Sequence, residues 1–121
     1  MTGLLIGLFL IAHGLVHLLF LSPEPPESDK RAKWVFDRSA SWLMIRLRLR
    51  EPAIRAVGAV LSVITAVAFA IAGLGAAGLF GGWEPLAQVA AASGLVLLGL
   101  YWHLWLMLGI AINLVILIMV L

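Results

Sequence analysis

All eight lysines and arginines of this chain fall between Lys30 and Arg55. Before them runs a stretch from Leu4 to Leu21 that is apolar but for two histidines, and after them the chain is almost wholly apolar to Leu121. Hydrophobic residues fill 64% of the 121 positions and charged residues only 12%, where an ordinary soluble domain carries about 25% charge. Too little polar surface exists to wrap a water-soluble globule, so the expectation is an integral membrane protein. Cysteine is absent, which excludes disulfides, thiolate metal sites and cysteine nucleophiles within the chain.

The first run, 3–21, would be about 28 Å long as a helix, close to the hydrocarbon thickness of a bilayer. It has no basic start and no small-residue cleavage site, so it reads as a retained membrane helix and not a signal peptide. Pro23, Pro25 and Pro26 end it. Ser28 or Asp29 is expected to cap a short helix running to about Asp37. Next, Arg46, Arg48 and Arg50 alternate with Leu47 and Leu49. A lone strand in a membrane leaves its backbone unpaired. The expectation is therefore an interfacial amphipathic helix from about Ser41, with Trp42, Leu43, Ile45 and Leu49 in lipid and the arginine heads at the phosphates. Pro52 suits the first turn of a second long helix, 53–80.

As one helix, the stretch from Trp83 to Leu121 would be about 58 Å long, twice the membrane. The aromatic group at 100–106 (LYWHLWL) marks the break, since Tyr and Trp gather at the membrane surface. This predicts helices over 85–101 and 104–121; a three-span chain with a bent last helix is the alternative. The expected fold is an all-α polytopic membrane protein, a four-transmembrane-helix bundle forming a single membrane domain over 1–121. Its first loop, 22–52, carries the interfacial segment. The positive-inside bias places that basic loop in the cytoplasm of a bacterial inner membrane, with both termini outside and 100–106 on the cytoplasmic side.

His13 and His17 lie four residues apart, hence on one helix face, and His103 falls in the aromatic break on the side that His17 approaches. Four roles fit these three. A metal site would need a further nitrogen or oxygen ligand converging on the pair, and Asp37, Glu51 and Glu84 are loop or interface residues. A haem would take His17 and His103 as axial ligands, with loop arginines on its propionates. Neutral histidines bonding across helices would pin the bundle without any cofactor. A proton-linked role also belongs to ionisable groups at membrane depth. Asn113 is the most costly polar group to leave unpaired and is expected to bond across to another helix.

Small residues recur at helical spacing: Gly3 and Gly7, then Gly58, Ser62, Ala66 and Ala70, then Ala90 and Gly94. Such faces let membrane helices approach closely, within one chain or between chains. Arg46, Arg48, Arg50 and Arg55, with Trp42, suit anionic lipid headgroups; an anionic cofactor, a quinone head or a partner would use the same charges. The basic segment is too short and too lipid-like for nucleic acid, and no phosphate loop, nucleotide fingerprint or transport path of buried carboxylates is present.

At HGLVHLLF, WVFDRSASWL and LYWHLWLMLGIAINL the chain resembles a group of uncharacterised small bacterial four-helix membrane proteins. They share an HGxxH element in the first helix and a WHxWL element before the last. The matching residues are His13, Gly14, His17, Trp34, Phe36, Asp37, Ser39, Ser41, Trp42, Trp102, His103 and Trp105. The resemblance implies the four-helix fold and no mechanism; in the topology expected above, all of these residues fall near the cytoplasmic surface, which would suit a single site there. A looser likeness, in size and the early HG alone, is to DoxX-type proteins, some of them linked to quinone-coupled redox work; no residue is carried over from it. The expected function is that of a non-enzymatic accessory or assembly subunit of a larger membrane complex, or a homo-oligomer. The alternatives are a haem-, metal- or quinone-linked redox protein using His13, His17 and His103, and a small transporter or channel.

Overall fold

The computed structural model describes residues 1–22 and 35–121. Those residues are all-helical, with no strand among them. The helices are α1 (Thr2–His17), α2 (Trp42–Arg46), α3 (Glu51–Ala76), α4 (Glu84–Leu100) and α5 (Met107–Val120). Short 3₁₀ turns, Leu18–Leu21 and Leu104–Leu106, extend α1 and precede α5. The short helix expected from Ser28 or Asp29 lies outside the described residues up to position 34, and 35–39 form turns.

The four long helices pack as antiparallel neighbours in the order α1, α3, α4, α5. Close approach between α1 and α3 depends on glycine. A Cβ added at Gly14 would stand 2.6 Å from the Phe69 Cβ, and one at Gly7 would stand 2.9 Å from the Ala77 Cβ. Gly3 likewise meets the Ala76 backbone, and Ala66 is buried where Gly14 crosses. The small-residue faces at Gly3, Gly7 and Ala66 thus meet within one chain. Gly58 serves differently: its missing side chain leaves a notch for the Tyr101 ring, whose hydroxyl donates to the Ile54 carbonyl. Ser62 donates to Ala59 O of its own helix at 2.8 Å.

Two buried clusters fill the bundle. One, at the end where α3 meets α4, contains Leu10, Phe69, Ala72, Ala87 and Ile116. The other, at the opposite end, gathers Phe20, Met44, Ile54, Leu97, Tyr101 and Leu106. The second cluster brings the basic connection and the aromatic break to the same end. Trp42 Nε1 donates to Gly99 O at 2.8 Å, and Phe20 stacks edge-on against both Phe36 and Tyr101.

Helix boundaries differ from expectation where capping decides them. The helix expected over 53–80 starts at Glu51 and stops at Ala76. Gly78, at φ +102°, lets its own N–H reach Gly75 O at 2.9 Å and that of Leu79 reach Leu74 O at 3.2 Å. This is the Schellman arrangement, which satisfies the last carbonyls and ends the helix. The helix expected at the interface stops early for the same reason, at Arg46. Arg48 takes φ +59°, its N–H bonds Ile45 O at 2.9 Å, and Leu49 N–H bonds Met44 O at 3.0 Å. Leu49 therefore lies beyond the helix, while Trp42 and Ile45 stay exposed on it and Met44 turns inward.

Two helices, Thr2–Leu21 and Glu51–Ala76, are long and apolar enough to cross a membrane, and Glu84–Leu100 and Leu104–Val120 are shorter apolar helices. Exposure is inverted relative to a soluble protein. Leu8, Val60, Val67, Val96, Leu108 and Ile118 face outward, while His13, His17, Ser62, Thr65 and Asn113 are buried. Soluble proteins place such polar groups outside and rarely expose continuous apolar faces.

Candidate functional site

Three of the buried polar groups, His13, His17 and Asn113, converge where α1 passes α5. His17 Nδ1 lies 3.0 Å from the His13 carbonyl, which can only accept, so Nδ1 carries the proton. His17 Nε2 is then an acceptor, and it receives the Asn113 Nδ2–H at 3.3 Å. The Asn113 Oδ1 in turn accepts from His13 Nε2–H at 3.2 Å. One amide thus joins both imidazoles, and every bond in the set is satisfied with both rings uncharged. Gly94 of α4 makes the arrangement fit, because a Cβ there would stand 2.9 Å from the Asn113 amide atoms. Aromatic contacts hold the rings: His13 lies edge-on to Phe69 at 5.1 Å between centroids and parallel to Phe9 at 5.9 Å.

Beside this cluster is a cavity of about 290 Å³ between α1 and α5. His13 and His17 form its polar wall, and Phe20, Phe36, Trp105 and Ile112 belong to its apolar one. The volume sits at the lower edge of the range of small-molecule sites, about 300–1,000 Å³, which are mostly apolar with a few convergent polar groups.

His103 takes no part in the cluster. It is the N-cap of the turn Leu104–Leu106, where its Nδ1 accepts the Trp105 N–H at 3.2 Å. Among the described residues no group of three or more His, Cys, Asp or Glu side chains could hold a metal ion. The three histidines therefore do not share one coordination locus, and the Nε2 atoms of His13 and His17 are both spent on Asn113. Metal or haem ligation through either Nε2 would have to displace that amide.

Of the expected headgroup-binding residues, Arg46, Arg48 and Arg50 are exposed around the end of α2, and Arg55 pairs with Glu51 one turn away at 3.0 Å. An exposed pair of this kind contributes little to stability. Trp42 is half exposed, with its indole N–H anchored on α4. Elsewhere in the bundle, Thr65 and Ser93 join α3 to α4 at 2.8 Å, and Gln88 donates to Val120 O at 2.7 Å.

Sequence reasoning singled out the His13–His17 pair and, apart from it, Asn113, and missed that they form one unit. It also missed Phe20, Phe36, Trp105 and Ile112 as cavity walls. An isolated Asn in an apolar run, beside a histidine pair in another, was the available signal, but the 100 residues between His13 and Asn113 carry no spacing that reveals the pairing. Comparison with known proteins finds no matching family model, no matching curated protein and no matching solved structure.

Proposed function

We propose that this chain is a four-span integral membrane protein that binds a membrane-soluble small molecule in the cleft between α1 and α5, without catalysing a reaction. The observation that carries the reading is the cavity of about 290 Å³ with two buried imidazoles in an otherwise apolar wall. A lipid-facing cavity with a single polar wall selects a molecule that is itself mostly apolar.

Four spans are supported by the packing. Helix α4 packs on α3 and α5 packs on α4, and both share the apolar exterior of α3, so a bilayer that holds α1 and α3 holds all four. Glu84–Leu100 and Leu104–Val120 are each about 25 Å long, within the range of short spans. The arginines gathered at the Tyr101 end support a cytoplasmic location for that end. The accessory-subunit expectation drew on small-residue faces, and Gly3, Gly7, Gly14 and Gly94 are all occupied within the chain. The cleft is the better supported basis for a function.

Two measurements test this. The chain has no cysteine, so Leu47→Cys and Gly81→Cys supply single labels; a membrane-impermeant maleimide should reach the first only from the cytoplasmic side and the second only from outside. Native mass spectrometry of protein released directly from its membrane should show a one-to-one bound species. Val16→Trp, which puts an indole at the cavity wall from an exposed position, should remove it. A bare chain from the unmodified protein would refute ligand binding.

A further inference from the structure

The cleft is not a single pit. A second cavity of about 260 Å³ adjoins the first at Ile112 and is lined by Phe9, Ile116 and Met119. A third, of about 180 Å³, shares Phe9, Ile116 and Met119 with the second and ends at Trp83. All three lie along the α1–α5 seam and overlap in their walls, so they form one track. It follows most of α5, whose Met107–Val120 span is about 21 Å long.

The track is narrow. Beside it the Asn113 amide reaches His13 at 3.2 Å and His17 at 3.3 Å, so single side chains bridge α5 to α1. A helix, about 10–12 Å across, cannot enter between them, whereas a hydrocarbon chain can. The head of the occupant is constrained too. Among the described residues, no charged side chain lines any of the three cavities: Arg38, Arg46, Arg48, Arg50 and Arg55 lie elsewhere at that end, and His103 is in the turn. A charged head would be buried without a partner, which is costly. In the tautomer set by Asn113, His13 Nδ1 is an unprotonated acceptor, and among the described residues it has no hydrogen bond. An acceptor in that position needs a donor.

Resting on the cleft reading above, we infer that the occupant is an uncharged single-chain lipid with a hydroxyl head. The hydroxyl donates to His13 at the polar wall, and the chain lies along the seam past Ile112 and Ile116 towards Trp83. Phe20, Phe36 and Trp105 enclose the head. Trp105 is 78% exposed, so the mouth of the cavity opens laterally to lipid.

The test uses the full chain in liposomes of phosphatidylcholine and a diazirine-bearing hexadecanol, with the photo-adducts mapped by mass spectrometry. Labelling should concentrate on Phe9, Ile112 and Ile116 at one probe per chain. Unlabelled hexadecanol should compete about tenfold better than its methyl ether, which lacks the donor, and better than palmitate, which is charged; a single hydrogen bond to a buried acceptor has about that value. Ile112→Trp and Val16→Trp should each abolish seam labelling while label on the outer face of α3, at Val60 and Val67, is unchanged. The second variant replaces an exposed side chain and so guards against misfolding by the first. Equal competition by the ether or by palmitate overturns the hydroxyl head while cleft binding stands. Label spread evenly over all outer faces means annular lipid only and overturns both, as does crosslinking of the seam to a second copy in place of the probe.

Discussion

Replacing Asn113 with leucine tests the cluster most sharply. Leucine keeps the size of the side chain beside Gly94 and removes the amide that joins α1 to α5. Two interhelical bonds vanish. In membrane proteins such bonds average about 0.6 kcal/mol and reach about 1.7, which sets a loss of about 1–3 kcal/mol for the pair. The loss has a particular structure, because Asn113→Leu also strands a donor on His13 and an acceptor on His17. Unmet polar groups cost more than the bonds they formed, while replacing every partner by an apolar group is nearly neutral. The triple variant Asn113→Leu, His13→Phe, His17→Phe should therefore be more stable than Asn113→Leu alone, by about 1 kcal/mol. Unfolding of the micelle-bound protein by added dodecyl sulfate, followed through tryptophan fluorescence, measures both. Strictly additive losses, with the triple variant the least stable, would show that the three side chains are neighbours without being a unit.

Other expectations follow from the close approaches and the caps. Gly94→Ala should displace the Asn113 amide and cost about 1–2 kcal/mol with both histidines intact, read by the same titration. Gly14→Ala should cost about 1–3 kcal/mol, since its Cβ would meet Phe69 at 2.6 Å, while Gly99→Ala meets nothing within 4 Å and should gain about 0.5–1 kcal/mol in helix propensity. The two Schellman caps should respond in opposite directions. Gly78→Ala forces a side chain into the left-handed region and should lose about 1 kcal/mol, and Arg48→Gly removes one from it and should gain about as much. Gain on Gly78→Ala would refute the capping account.

The sequence revealed the helices well and their partners poorly, and the physics of so apolar a chain explains the division. Apolar runs separated by proline, arginine and glycine located the long helices to within a few residues, because such breaks act locally. The two misplaced ends are those set by left-handed caps. Gly78 was one glycine among several in its stretch, and Arg48 is not a residue that announces a left-handed cap. Face assignment failed for a deeper reason. Where solvent is hydrocarbon, apolar periodicity no longer distinguishes inside from outside, and the interior is marked instead by His, Ser, Thr, Asn and small residues. That inverted rule locates the α1–α3 face through Gly7 and Gly14 and the α4–α5 face through Gly94 and Asn113. It fails along the α1–α5 seam beyond the histidines, where Phe9, Ile112 and Ile116 are as bulky and apolar as any lipid-facing side chain. The failure is itself informative. Side chains that close a helix interface in a membrane are small enough for backbones to meet or polar enough to bond. A seam walled by neither presents to its interior the same surface that the proposed membrane location presents to the bilayer, so a hydrocarbon chain has no reason to stay out of it.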